Sequence, residues 1–108
     1  MSGSALIMYE TSSDGITLRA ALAGDLDLAD ADEVRDNLAA AAQASPCQFL
    51  QVDVSRVDLI DSYALGALIS ARNTAAAAGV TLTLINPSPP VAKAIKVTGL
   101  SAAFGLDD

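Results

Sequence analysis

Histidine and tryptophan are absent from this 108-residue chain, and cysteine occurs only once. A Ser/His or Cys/His catalytic pair therefore cannot form, and the sequence has neither a glycine-rich phosphate loop nor metal ligands at a recognisable spacing. Carboxylates such as those of Asp25 and Asp27 lie close in sequence, but six acidic residues fall between positions 25 and 36. A solvated helix start accounts for such a cluster. We therefore expect a protein that is not an enzyme and that uses no metal and no other cofactor.

Basic residues are scarce, with 6 Lys and Arg against 13 Asp and Glu, so the net charge is −7. A phosphate backbone or an anionic membrane would repel such a chain, and no basic patch with interleaved aromatic residues occurs. These absences argue against direct contact with nucleic acid or with a membrane. The charge instead favours a basic protein partner, because long-range attraction raises the rate of encounter.

Signals for secretion and membrane insertion are also missing. Cys47 stands alone, so the chain has no disulfide framework. The sequence does not open with a basic segment followed by an apolar run, and no apolar stretch is long enough to span a bilayer. We therefore expect a cytoplasmic protein.

Small and aliphatic side chains are abundant. Hydrophobic residues make up 52% of the chain but aromatic residues only 4%, so the core must consist of Ala, Leu, Val and Ile. Such residues allow helices to pack closely on a sheet. No long Pro/Gly/Ser-rich segment interrupts the sequence, which indicates a single domain.

Hydrophobic periodicity and turn residues predict four strands and three helices. Asp14-Gly15 favours a hairpin between the first two strands, the second of which is expected to stop at Gly24. The predicted strands cover 5–10, 16–23, 49–54 and 80–85, and the predicted helices cover 29–43, 63–78 and a segment from about 91. The predicted core positions are Leu28, Ala31, Val34, Leu38 and Ala41 in the first helix, and Leu65, Leu68, Ile69 and Ala76 in the second. The fold class is α/β, with a mixed sheet of four to five strands, an N-terminal antiparallel hairpin and helices packed against the sheet.

Ser62 lies directly after Asp61, where a loop is expected to lead into the second helix. One interpretation is structural, because a serine hydroxyl caps a helix or fills its first turn well. The other is functional, since unpaired N–H groups and the positive end of the helix dipole would favour a phosphate there. Phosphorylation would add about −1.5 to −2 charges beside Asp61 and would change docking more than folding. The local sequence leaves both interpretations open.

Other polar and aromatic residues are candidates for a surface around this serine. Asp27 either caps the first helix or contacts a partner, and Asp25 stands two residues before it. Asn86 and Ser88 lie at another strand-to-helix junction, where turn chemistry explains them equally well. Tyr63 is expected to pack down, to cover the serine or to anchor a partner.

Three segments together carry a likeness to a known family. They are Gly24-Asp25-Leu26-Asp27; Val52-Asp53-Val54 through Ile60-Asp61-Ser62, with Leu65-Gly66 beyond; and Asn86-Pro87-Ser88-Pro89-Pro90-Val91, followed by Val97-Thr98-Gly99-Leu100 and Phe104. In this order and spacing they resemble the STAS domain of bacterial anti-sigma-factor antagonists. The resemblance covers about residues 6–104, and it implies a STAS domain over 5–105 with flexible ends at 1–4 and 106–108.

The resemblance implies a regulatory function. Members of this family bind an anti-sigma factor that is also a serine kinase, which frees a sigma factor and so regulates transcription. Phosphorylation of the serine breaks that complex, and a protein phosphatase restores it. By position, Ser62 would be the phosphorylated residue. The partner-binding surface would comprise Asp25, Asp27, Asp61, Ser62, Tyr63, Asn86 and Ser88.

The residues after Ser62 depart from the family pattern, which has Ser or Thr and then Gly where this chain has Tyr63 and Ala64. A second hypothesis is therefore an adaptor that is not phosphorylated, for example the small STAS subunit of a lipid-transport ATPase complex. A third class, a nucleotide-binding or hydrolytic domain, finds no phosphate cradle in the sequence. Weak homodimerisation stays open.

Overall fold

The structure is a computed structural model that describes residues 5–44 and 46–106. Within these residues seven elements follow one another: β1 (Leu6–Thr11), β2 (Thr17–Leu26), α1 (Leu28–Ala44), β3 (Phe49–Ile60), α2 (Ser62–Ala77), β4 (Thr81–Ile85) and α3 (Pro89–Thr98). Of the ends predicted to be flexible, 1–4 and 107–108 lie outside the described residues. Leu106 is described, and it packs partly buried against the core.

The four strands form one mixed sheet in the order β1-β2-β3-β4. β1 pairs antiparallel with β2, whereas β2 with β3 and β3 with β4 are parallel pairs. In the hairpin turn, Asp14 accepts hydrogen bonds from the Ser12 hydroxyl at 2.5 Å and from the Ile16 N–H at 3.0 Å. Gly15 adopts a φ of 74° there, which a residue without Cβ takes at little cost. The predicted α/β class and hairpin are confirmed, and the sheet has four strands.

The core lies between the sheet and the helices. α1 contacts β2 and α2, α2 also contacts β4, and α3 contacts β3. Alternate residues of β3 and β4 are buried, among them Leu50, Val52 and Leu82. α1 and α2 each connect two neighbouring parallel strands, and such connections are nearly always right-handed, which puts both helices on one face of the sheet. Their first turns lie side by side, because Asp61 accepts hydrogen bonds from both.

Both central strands are longer than predicted. β2 does not stop at Gly24, and β3 does not stop at Val54, because the two strands stay paired as far as Leu26 and Ile60. The pairing register shifts twice on the way, and Gly24 takes a φ of 100° beside the second shift. Polar residues at 55, 56 and 58 hid this extension, although Val57 between them is buried. The loop expected before Ser62 is thereby reduced to a single residue.

Two predicted core positions are wrong. Leu28 is 66% exposed, because it is the first residue of α1 and lies at the open end of the helix. Ala76 is exposed as well. Leu65 and Leu68 are buried and Ile69 packs partly buried against the core, as predicted. Because alanine occurs on nearly every side of α2, periodicity could not identify which alanines face inward. The buried residues of α2 are Ala64, Leu65, Ala67, Leu68, Ala71 and Ala75.

The last helix closes the domain. Ser88 is the N-cap residue of α3, and Gly99 ends the helix in the left-handed conformation, with φ of 72°. Beyond it, Phe104 is completely buried, and its carbonyl accepts a hydrogen bond from the Leu84 N–H of β4 at 3.0 Å. No helix in residues 5–44 or 46–106 has the length and apolar character needed to cross a membrane.

Candidate functional site: the joint N-termini of two helices

Asp61 connects the first turns of α1 and α2. One of its carboxylate oxygens accepts a hydrogen bond from the Ala64 N–H at 2.8 Å, which caps α2. The other accepts from the Leu28 N–H at 3.0 Å, at the start of α1. The Asp61 N–H in turn donates to the Leu26 carbonyl at 3.2 Å. A single aspartate therefore satisfies donors of two helices and holds the ends of β2 and β3 against them.

Ser62 occupies the first position of α2 rather than its cap. Of the two structural roles considered for it, first-turn residue is therefore the one it has. Its side chain is exposed, and the hydroxyl makes no hydrogen bond to any other residue in the described part of the chain. The fold thus leaves this hydroxyl available for chemistry or for a partner.

Two opposing electrostatic effects act on an anion at Ser62. The positive end of the α2 dipole favours an anion at this position. Asp61 already places a carboxylate next to it, and that carboxylate uses an N–H of the first turn. A phosphate on Ser62 would therefore be compatible with the helix, but it would add charge to a surface that is already acidic.

Tyr63 lies across the gap between the two helices. Its hydroxyl donates a hydrogen bond to Asp32 on α1 at 2.6 Å, while the residue remains 46% exposed. The same Asp32 oxygen accepts from Arg35 at 3.3 Å, and Arg35 also pairs with Asp36 at 3.0 Å. The hydrogen bond to Asp32, with the charge of that carboxylate, raises the pKa of the Tyr63 phenol. Tyr63 is thus oriented towards α1, with part of its ring in solvent.

Asp27 caps α1, as one of its two interpretations predicted. Its carboxylate accepts a hydrogen bond from the Ala29 N–H at 3.1 Å, and its carbonyl accepts from the N–H groups of Asp30 and Ala31. Asp25 lies two residues earlier in β2, opposite Leu59 of β3. Both aspartates are half-buried and belong to the same end of the sheet as Asp61. The structure therefore brings the first and second matched segments together around Ser62.

Asn86 and Ser88 belong to a different part of that end. Asn86 adopts a positive φ of 53°, and its amide donates to Asp53 at 3.3 Å. Burial alone would raise the pKa of Asp53, but hydrogen bonds from Ser55 and Asn86 outweigh it and lower that pKa. Neither Asn86 nor Ser88 makes a hydrogen bond to residues 61–63 in the described part of the chain.

Ser88 is buried, so its surroundings point to a supporting role. Its hydroxyl donates to the Val57 carbonyl at 2.6 Å, and its N–H donates to the Val54 carbonyl at 3.3 Å. β4 pairs with β3 only as far as Asp53, and beyond that point Ser88 supplies the hydrogen bonds to β3. It fixes the part of β3 that leads to Ser62.

Sequence reasoning missed two apolar residues at this site. Leu28, assigned to the core, and Leu59, not considered, are 66% and 51% exposed. Leu28 directly follows the cap residue Asp27. Its exposure could have been predicted from this position, because a side chain at the first helical position projects beyond the packed turns. Leu59 could have been found only with the end of β3, which the sequence did not reveal.

The arrangement is a surface rather than a cavity. A cleft lined by Leu6, Met8, Arg19 and Arg56 lies along β1, β2 and β3 and does not include residues 61–63. Within residues 5–44 and 46–106, no three His, Cys, Asp or Glu side chains are grouped so that they could hold a metal ion. What the site offers is an exposed hydroxyl, apolar side chains and carboxylates, which suits binding to another protein.

Solved structures with the same fold include anti-sigma-factor antagonists. One from Mycobacterium paratuberculosis is 23% identical, with a TM-score of 0.80, and the match covers 95% of this chain and 85% of that one. The antagonist SpoIIAA in its unphosphorylated form is 23% identical, with a TM-score of 0.73 over 88% of this chain and 82% of that one. The Bacillus cell fate determinant SpoIIAA in its phosphorylated form is 21% identical, with a TM-score of 0.67 over 92% and 87%. At these identities the likeness establishes the fold.

Sequence comparisons give the family. No curated protein sequence matches the chain. The model of the family STAS_2, described as "Mlab, STAS domain", matches residues 9–106. Because this match spans nearly all of the domain, the chain belongs to the STAS_2 family of STAS domains.

Proposed function

We propose that this protein is an anti-sigma-factor antagonist whose binding is controlled by phosphorylation of Ser62. In its unmodified form it binds an anti-sigma factor that is also a serine kinase, and a sigma factor is released to direct transcription. The kinase phosphorylates Ser62 and the complex dissociates. A protein phosphatase removes the phosphate and restores binding. The domain itself carries out no catalysis and contacts neither nucleic acid nor membrane.

The observation that carries this proposal is the free hydroxyl of Ser62 at the first position of α2. A serine that capped the helix would lose its structural hydrogen bond on phosphorylation. Here Asp61 is the cap, and the Ser62 hydroxyl is exposed without a partner among the described residues. Phosphorylation therefore changes the charge of the surface without removing a contact of the fold.

Charge supplies the physical basis of the switch. A phosphate adds about −1.5 to −2 charges at neutral pH. At the start of α2 the helix dipole offsets part of this cost within the domain. A partner that packs closely over Ser62 would have to desolvate the phosphate next to the Asp61 carboxylate, which is costly. The modified protein is thus expected to keep its fold and lose its partner.

The test uses the protein and a purified kinase-type anti-sigma factor from the same source. Incubation with ATP and Mg²⁺ should add one phosphate-sized mass to the wild type, located by peptide mass analysis at Ser62, and none to Ser62→Ala. Ser62→Asp should abolish binding in a calorimetric titration. Ser70→Asp is the matched control, because Ser70 is an exposed serine on the same helix, and it should bind as the wild type does. A Ser62→Asp variant that retains wild-type affinity refutes the switch.

A second candidate is the adaptor that is not phosphorylated, such as the small subunit of a lipid-transport ATPase complex. Two observations favour keeping it: Tyr63 and Ala64 follow Ser62, and the matching family is described after Mlab. Under this alternative, Ser62 stays unmodified in protein isolated from its native cells, and a transporter ATPase co-purifies with it. A phosphorylated Ser62 with a kinase bound to the unmodified fraction excludes it.

A further inference from the structure

Apolar side chains flank Ser62 on the side of α1. Leu28 is 66% exposed and Tyr63 is 46% exposed. The Leu28 N–H is bound to Asp61, the residue before Ser62, at 3.0 Å. The Tyr63 hydroxyl is bound to Asp32, which follows Leu28 by one helical turn and so lies on the same side of α1. Leu28 and Tyr63 therefore lie on the same side of the joined helix starts, and we refer to them together as the anchor ridge.

Tyr63 is held in place before any partner arrives. Its hydrogen bond to Asp32 at 2.6 Å fixes the direction of the ring, and Asp32 is itself paired with Arg35. A side chain that is already oriented loses less conformational entropy when a partner covers it. Tyrosine is also one of the residues that most often contribute strongly to binding, because a large apolar ring and a hydroxyl can both be used.

The ridge is surrounded by negative charge. Asp25, Asp27 and Asp61 lie at the same end of the sheet, and Asp32 lies beside the ring. In the segment 24–36 Arg35 is the only basic residue, and its guanidinium is engaged by carboxylates of its own helix. A partner that covers the ridge must therefore bring its own positive charge to the rim.

We infer that the anchor ridge determines which partner this protein accepts, and that the partner presents an apolar recess bordered by lysine and arginine side chains. The recess takes the ring of Tyr63 and the side chain of Leu28, and the basic border faces the surrounding aspartates. This inference rests on the proposed function, since it describes the partner of the surface around Ser62. A partner with a flat basic surface would leave the ridge in solvent, and an apolar recess without basic residues would desolvate the aspartates without supplying positive charge in place of water.

The test measures affinity for the purified kinase-type anti-sigma factor at low and at high salt. Tyr63→Ser and Leu28→Ser should each raise the Kd by about tenfold or more, as expected for anchor residues. Tyr63→Phe keeps the ring but loses the hydrogen bond to Asp32, so its loss should be smaller than that of Tyr63→Ser. The matched control is Val97→Ser on α3, which is 77% exposed and should change the Kd by less than about twofold. All four substitutions are at exposed positions, and circular dichroism should show wild-type folding.

The outcomes separate this inference from the proposed function. If Ser62→Asp abolishes binding while Tyr63→Ser and Leu28→Ser bind as the wild type does, the ridge is wrong and the switch stands. An affinity that does not fall with salt overturns the basic border, and equal losses for Tyr63→Phe and Tyr63→Ser overturn the apolar recess. If the wild type binds a transporter ATPase instead of the kinase, the proposed function fails. The affinities of the same variants for that ATPase then test whether the anchor ridge determines binding. Binding to neither protein overturns both.

Discussion

At the scale of single residues, Asp61 caps the helix and Ser62 carries the exposed hydroxyl, two roles that a single serine could have combined. Asp61 takes the structural task, with one carboxylate oxygen on α2 and the other on α1. Ser62 is left with a hydroxyl that no described residue uses. A modification site that carried part of the fold would lose stability each time it was modified. Separating the tasks allows the charge of Ser62 to change while the helices stay in place.

This division predicts different costs for the two side chains. Asp61→Ala removes acceptors from two helix starts and should lower the free energy of unfolding by about 1–2 kcal/mol. Ser62→Ala removes no hydrogen bond and should change it by less than about 1 kcal/mol. Urea denaturation followed by circular dichroism measures both. Equal losses for the two variants would mean that Ser62, and not Asp61 alone, contributes to the cap.

How far the sequence predicted the site depends on the distance between the residues involved. The position of Ser62 at a helix start and the capping role of Asp27 were predictable, because each depends on residues within one turn. The second hydrogen bond of Asp61 was not, because it joins residues 33 positions apart. The contact of Tyr63 with Asp32 was hidden for the same reason, since it requires α1 and α2 to lie side by side.

At the scale of elements, the extension of β2 and β3 decides where the site is built. Periodicity predicted the strands up to Gly24 and Val54, where the alternation of apolar residues is regular. The final part of the pairing between β2 and β3 contains two register shifts, and the alternation of apolar and polar residues breaks at each. Pairing with a neighbour, rather than the local pattern, holds residues 55–60 in the strand. Such irregular strand ends are common beside functional sites, and this one places Asp61 within hydrogen-bond distance of the first turns of both helices.

Ser88 supports this extended part of β3, and its substitution tests that role. Ser88→Ala removes a buried hydroxyl that donates to the Val57 carbonyl, and the loss should be about 1–2 kcal/mol of unfolding free energy. Hydrogen exchange should also become faster at residues 57–60, because the strand loses its support there. Ser70→Ala, at an exposed position of α2, is the control and should leave both measurements unchanged. Exchange at 57–60 that stays at the wild-type rate would rule out the supporting role.

At the scale of the whole molecule, the fold class followed from general features of the sequence. Strand and helix order, the hairpin and the aliphatic core were all predictable, because long periodic segments and Asp14-Gly15 specify them locally. The distribution of charge followed too, since acidic residues cluster in the segment that begins α1. The large inner residues of α2, Leu65 and Leu68, followed as well. Which of its alanines are buried did not follow, because alanine occurs on every side of that helix and only packing against α1 and the sheet selects the inner ones.

The aliphatic core predicts that stability and partner binding can be separated. Leu82 of β4 is 2% exposed, and its apolar side chain stabilises the fold only by packing in the core. Leu82→Ala should lower the free energy of unfolding by about 2–5 kcal/mol, because it removes buried methyl groups and leaves a cavity. Leu65→Ala, also buried, should cost a similar amount. Thr81→Ala, at the exposed neighbouring position of β4, is the control and should lie near the wild type in chemical denaturation.

Binding then distinguishes the core from the site. The folded fraction of Leu82→Ala should bind its partner with wild-type affinity, because the first turns of α1 and α2 keep their contacts with Asp61. Leu65→Ala should weaken binding as well, because the buried Leu65 side chain packs the first turn of α2, and the cavity left by its removal allows that turn to shift. Titration below the temperature at which either variant unfolds measures this difference. Equal affinities for both variants would mean that the surface around Ser62 tolerates movement of α2, and that its geometry is set by α1 and Asp61 alone.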